Sequence, residues 1–88
     1  MHAFDVLGDP VRRRILELLA EGEHASGEVV AVIESEFGIT QSAVSQHLKV
    51  LRNAGLVRER RVGRQRIYRV QPARLREVQK WASRYLGR

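Results

Sequence analysis

Apolar residues recur along this chain in two periods, and the change from one to the other divides it. Asp9 is a good helix N-cap, and Pro10 suits a first helical turn, where its missing N–H costs nothing. Val11, Ile15, Leu18 and Leu19, with Leu16 beside them, then fall at helical spacing and predict a helix over about 10–21 that stops near Gly22. Before it, Ala3, Phe4, Val6 and Leu7 form a short apolar segment, readable as a brief helix ending at Gly8. Ser26 or Gly27 opens the next helix, with Val29, Val32, Ile33 and Phe37 as its stripe and Gly38 as its stop. Thr40 can cap a further helix over about 41–54, whose apolar set is Ala43, Val44, His47, Leu48, Val50 and Leu51, closed by Gly55. The connection around Gly38 and Ile39 is about three residues, so these two helices read as a helix-turn-helix.

After Gly55 the period shortens. Leu56 to Val62 and Arg66 to Val70 read as extended, joined through Gly63-Arg64-Gln65, which is a β-hairpin signal. A two-stranded ribbon is not stable alone, and Val57, Ile67, Tyr68 and Val70 are the candidates to pack it on the helices. Pro72 opens a last helix with Leu75, Val78, Ala82 and Tyr85 three or four apart, flanked by Trp81 and Leu86. The fold class predicted is mainly α with a small β-hairpin (α+β), in the order of a winged helix-turn-helix. Residues 1–88 form one domain, with the helix-turn-helix at about 27–54, the wing at about 56–70 and the C-terminal helix at about 72–86.

Composition narrows what such a fold is for. A chain of 88 residues buries little more than half of its unfolded surface and gains from a disulfide, a metal or a partner subunit. There is no cysteine, which excludes disulfides, thiolate metal sites and cysteine nucleophiles together. A partner subunit is the source of stability that remains. The longest apolar run, Val29 to Ile33, is five residues, against about 20 needed to cross a bilayer, and no signal-peptide pattern opens the chain. A soluble, cytoplasmic protein is expected.

Charge points to the partner. Residues 1–40 carry three basic and eight acidic side chains, a balance of −5, whereas residues 41–88 carry thirteen and two, a balance of +11. Fourteen of the sixteen cations are Arg, whose planar fork suits phosphate and guanine edges. On the helix at 41–54, Val44, Leu48 and Leu51 face the core, leaving Gln41, Ser42, Ser45, Gln46 and Lys49 on the other side and Arg52 farther along. Small polar residues near a helix N-terminus let it sink into the major groove. Gln can pair with adenine, and Ser can meet several base edges or a phosphate. An ordinary solvated helix would share this layout. The tight turn before it and the hairpin after it, with Arg58, Arg60, Arg61, Arg64, Arg66 and Arg69 against Glu59 alone, favour double-stranded DNA. Arg64 beside Gly63 sits at the expected tip, where it can enter a minor groove. Arg58 and Arg69 read equally well as a solvated strand face.

Leu7-Gly8-Asp9-Pro10-Val11-Arg12-Arg13-Arg14-Ile15-Leu16-Glu17-Leu18-Leu19 resembles the opening of the ArsR family of bacterial transcriptional regulators. Gln41-Ser42-Ala43-Val44-Ser45-Gln46-His47-Leu48-Lys49-Val50-Leu51-Arg52-Asn53-Ala54-Gly55-Leu56-Val57 resembles its recognition helix, and Arg58 to Tyr68 its wing. The resemblance covers nearly the whole chain. It implies a homodimer on a two-fold operator, usually a repressor, paired through the N-terminal segment and the last helix. Phe4, Leu7, Leu75, Val78, Trp81, Ala82, Tyr85 and Leu86 are the interface candidates, with Trp81 and Tyr85 as anchors. Arg74, Arg76, Lys80, Arg84 and Arg88 are expected on that helix's solvated face.

Two features depart from the family. The cysteines of the helix before the recognition helix and the His and acid pairs of the last helix, through which many members sense metals, are absent, so metal sensing does not carry over and no cofactor is expected. That preceding helix is also about one turn longer than the family's compact pattern, and Glu34 stands four residues before Gly38, where helix-turn-helix motifs usually have a small residue. His47, without a ligand partner at useful spacing, is read as packing the recognition helix or touching phosphate. His24 is read as a solvated loop residue. No serine has a base and acid around it and no Gly-rich phosphate loop follows a strand, so an enzyme is not expected.

The reading is a homodimeric, metal-independent DNA-binding repressor, autoregulatory in its simplest form. Gln41, Ser42, Ser45 and Gln46 are the candidates for base or phosphate contact, His47 packs the helix or touches phosphate beside them, and Lys49, Arg52, Arg60, Arg61, Arg64 and Arg66 supply the phosphate contacts. The alternatives are an interaction module whose basic half binds an acidic protein, or a repressor answering an unidentified small molecule.

Overall fold

The computed structural model describes residues 3–86, with side chains for residues 5–84. Helices α1 (Ala3–Leu7) and α2 (Pro10–Ala20) are followed by a two-residue strand β1 (His24–Ala25) and helices α3 (Ser26–Phe37) and α4 (Gln41–Asn53). The hairpin β2 (Val57–Val62) and β3 (Gln65–Val70) comes next, and α5 (Pro72–Leu86) ends the described chain.

Asp9 starts α2 as its charge and position predict. Its Oδ1 accepts from the backbone N–H of Val11 at 2.8 Å and of Arg12 at 3.3 Å. Burial pushes this carboxyl up, but the Arg12 and Val11 amides outweigh it and hold it below its ordinary value. Asp9→Ala is expected to cost about 1 kcal/mol, a fall in melting temperature of roughly 4–8 °C in thermal unfolding. A depressed carboxyl stabilises the fold above its unfolded value of 3.8 and loses that contribution as pH falls through the folded one. The acid limb of the stability profile should therefore be shallower in Asp9→Asn. Arg12 Nε and Arg13 Nη1 turn back to donate to the carbonyls of Val6 (2.9 Å) and Leu7 (2.7 Å), satisfying the C-terminal end of α1.

The core lies where α2, α3 and α4 meet the base of the hairpin. Val6, Ile15, Val29, Ile33, Val44, Leu51 and Leu56 are fully buried in it, each contributing roughly 1.5–3 kcal/mol. Gly38 ends α3 in the left-handed conformation (φ 66°), and its N–H donates to the Glu34 carbonyl at 2.9 Å. The Glu34 side chain is exposed. No small residue is needed at that position, and a three-residue connection leads to α4.

Phe37, expected on the buried stripe, is 38% exposed. Successive four-residue steps rotate about 40° around a helix, so two steps from Val29 carry Phe37 off the core face. β1 is an addition to the expected hairpin. His24 pairs with Tyr68 and Ala25 with Ile67, giving an antiparallel sheet of order β1-β3-β2. His24 is thus a strand residue, half-buried, and not the solvated loop residue expected. β1 covers one edge of the wing and leads directly into α3, where Glu28 Oε1 accepts from the Ala25 N–H at 2.9 Å.

Candidate nucleic-acid interface

Thr40 caps α4 as its spacing predicts, Oγ1 accepting from the Ala43 N–H at 3.1 Å. The helix divides cleanly. Val44, Leu48 and Leu51 are buried, while Gln41, Ser42, Ser45, Gln46 and Lys49 are exposed. His47 lies between the two faces, half-buried and close enough to Asp9 to help lower that carboxyl's pKa.

The hairpin register decides which cations share a face. Val62 pairs with Gln65, so the turn is Gly63-Arg64, one residue shorter than the connection expected. Gly63 carries the positive φ (61°) at the first turn position and Arg64 does not, the pattern of a type II′ turn. Side chains alternate across a strand. Glu59, Arg61, Arg66 and Tyr68 therefore share the face turned to α4, and Arg58, Arg60, Ile67 and Arg69 the outer one. Two pairs of arginines, Arg61 with Arg66 and Arg58 with Arg69, stand directly opposite each other. Like charges so placed destabilise a sheet, and a bound polyanion would relieve them.

Between α4 and the wing runs an open groove of about 600 Å³. It brings Gln41, Ser42, Ser45, Gln46, Lys49 and Arg52 of α4 together with Arg66 and Tyr68 of the wing and Ser26 at the start of α3. Ser26 and Tyr68 join the expected residues in this groove, and strand parity places Tyr68 beside Arg66. Arg61 sits on the same wing face as Arg66, and Arg64 is exposed at the tip.

Two expected phosphate contacts are instead engaged within the chain. Arg60 reaches Glu23 through Nη2 (2.7 Å) and Nε (3.2 Å) on the outer face of the wing. Arg52 Nη1 donates to Glu59 Oε1 at 2.7 Å. Burial pushes the Glu59 carboxyl up, yet Tyr68 and Arg52 more than reverse this and keep it below its ordinary value. Burial and the neighbouring Glu59 raise the Tyr68 phenol.

The segment expected at a dimer interface holds together locally. α1 lies against α5. Leu7, Leu75, Val78 and Ala82 are half-buried and Trp81 is 43% exposed. The side chains of Phe4, Tyr85 and Leu86 lie outside the described residues. Arg74, expected on the solvated face of α5, donates from Nε to the Ala54 carbonyl at 3.1 Å and ties α5 to the end of α4. Among the described residues, no group of three His, Cys, Asp or Glu side chains could hold a metal, and no helix is long and apolar enough to cross a membrane.

Helix, tight turn, recognition helix and basic hairpin, with terminal helices packed beside them, define a winged helix-turn-helix. The model for bacterial regulatory proteins of the arsR family matches residues 9–59, and the chain belongs to that family, one of transcription regulators and not of enzymes. It is 42% identical over 73 residues to the HTH-type transcriptional regulator Rv2034 of Mycobacterium tuberculosis. That match covers 83% of this chain and 64% of Rv2034, so the chain spans a little under two thirds of that relative's length. It is 26% identical over 87 residues to the transcriptional repressor SdpR of Bacillus subtilis, covering 99% of this chain and 92% of SdpR. Among solved structures it resembles the homodimeric winged helix-turn-helix DNA-binding domain of Mb0332 from Mycobacterium bovis, with 31% identity and a TM-score of 0.71 over 93% of this chain and 76% of that one.

Proposed function

We propose that this chain is a sequence-specific DNA-binding repressor acting as a homodimer on a two-fold operator, without a metal, in the cytoplasm. The groove between α4 and the wing carries the reading. One concave surface gathers small polar side chains from the exposed face of a recognition helix and cations from that helix and a wing. The N-terminal half of α4 enters the major groove, where Gln41, Ser42, Ser45 and Gln46 meet base edges or phosphate. Lys49, Arg61, Arg64 and Arg66 supply the counterion-release term. His47 positions the helix. The packing of α1 on α5, together with the homodimeric Mb0332 domain, supports pairing through these helices. The likeness to the repressor SdpR supports repression, by occupying a promoter against polymerase.

The direct test is fluorescence anisotropy with a duplex from upstream of the protein's own gene and a scrambled duplex, at two salt concentrations, with and without chelator. Tight, selective binding that chelator leaves unchanged is expected, and would make the protein its own repressor. Equal weak binding to both duplexes would refute autoregulation, and no binding to either would favour an acidic protein partner. Two single variants separate reading from attraction. Gln46→Ala should cost about 1–3 kcal/mol of discrimination at one base pair while leaving the salt dependence alone. Arg64→Ala should weaken binding to every duplex and lower the salt slope by about one. If both variants bind every sequence as the unsubstituted protein does, the reading head has been misplaced.

A further inference from the structure

Glu59 is the single acidic residue between Phe37 and Glu77, a stretch that holds ten basic ones. It lies on the inner face of the wing, beside the groove, where a carboxylate repels phosphate. Its position is therefore costly to DNA binding and calls for a reason.

Its surroundings supply one. The Glu59 side chain is 24% exposed and that of Arg52, in the last turn of α4, 37%. They meet at 2.7 Å. The second oxygen, Oε2, is sealed from solvent, and the Tyr68 phenol stands beside the carboxylate. A phosphate that recruited Arg52 would leave this half-buried carboxylate without its charge partner, close to the incoming DNA. Opening an ion pair costs more the further it is withdrawn from solvent. The Arg60–Glu23 pair provides the contrast, with side chains 57% and 43% exposed and on the outer face.

We propose that Glu59 sets the electrostatic affinity of the protein: by holding Arg52 off the DNA backbone, it lowers the sequence-independent part of DNA binding, on which the exposed face of α4 adds the reading of the operator. This rests on the DNA-binding reading above. Sequence-independent affinity grows with each phosphate neutralised, whereas discrimination comes from base edges. Withholding one cation therefore lowers affinity for DNA of every sequence and leaves discrimination to the base-reading face of α4.

The test is the salt dependence of binding to a random-sequence duplex, by fluorescence anisotropy on the full chain. Lys49→Gln is the control for the DNA reading, since Lys49 is exposed in the same groove; its slope of log affinity against log salt should fall by about 0.9. Glu59→Gln keeps the shape and removes the charge. It should bind random DNA several-fold more tightly, with a slope steeper by about 0.9, and its operator by a similar factor. Arg52→Gln should leave the slope unchanged, and the double variant should show no steepening. A purely structural Glu59 would weaken binding to all DNA without steepening the slope, and that result overturns the proposal. So does a slope that falls in Arg52→Gln, which would show Arg52 already on phosphate. If Lys49→Gln changes nothing, the DNA reading itself fails and takes the proposal with it. Thermal unfolding of each variant confirms that it is folded, and a slope that falls in Arg52→Gln overturns the proposal even if Glu59→Gln does not fold.

Discussion

Replacing Arg61 and Arg66 together by alanine is expected to weaken binding to DNA of any sequence by roughly 30-fold near 0.15 M salt, without lowering the melting temperature. The size follows from counterion release. Each phosphate contact contributes about 0.9 to the salt slope, a factor of roughly five at that salt, so two contacts also lower the slope by about 1.8. The second half of the expectation comes from the register. Arg61 and Arg66 are directly opposed and both exposed. Such a like-charged pair disfavours the hairpin by a few tenths of a kcal/mol up to about 1. Removing it should offset the weaker strand preference of alanine. Stability and binding would then part company, as they do where a site is kept strained for its ligand. Anisotropy across a salt series and a thermal melt of the same samples check this. A melting point lower by more than about 5 °C would assign the pair a structural role, and an unchanged slope would take the inner wing face off the DNA.

That opposition could not be read from the run of arginines in the sequence. Periodicity locates α2, α3 and α4 within a residue or two because each buries one stripe on a shared core, and burial writes itself into the spacing of Val, Ile and Leu. Val44, Leu48 and Leu51 show this, and the exposed polar face of α4 follows from the same fact. The wing is different. Its cations alternate between two faces, and which face holds which depends on a turn of two residues against three. With Gly63-Arg64 as the turn, Arg66 comes opposite Arg61 and faces the groove. Arg60 is turned outward to Glu23, 37 residues away in sequence. Strand parity alone could have separated Arg60 from Arg61, but no local pattern names Glu23 or marks Glu59 as the partner of Arg52. β1 was equally hidden, since two residues show no period. Phe37 misled for the opposite reason: its spacing is right for the first two turns of α3 and drifts by the third.

Leu51→Ala should have the largest effect on the fold. Leu51 is fully buried near the end of α4, and its carbonyl accepts from the Leu56 N–H at 3.0 Å, where the chain turns into the wing. Truncating a buried leucine costs about 2–5 kcal/mol, depending on how far the site collapses. A cost of about 3 kcal/mol, within that range, is expected here. For a domain of this size the melting temperature should fall by roughly 12–24 °C. That is a large share of the stability an 88-residue domain holds alone. DNA binding should be lost on warming and recovered on cooling, because every reading residue on α4 remains. Pairing adds a second lever. A dimer's melting temperature rises with protein concentration by mass action. The variant should therefore regain part of its loss as concentration increases, whether followed by circular dichroism or by anisotropy on operator DNA. A fall of only a few degrees would mean that α4 is held mainly by something other than this core. A melting temperature independent of concentration would mean that the terminal helices do not pair.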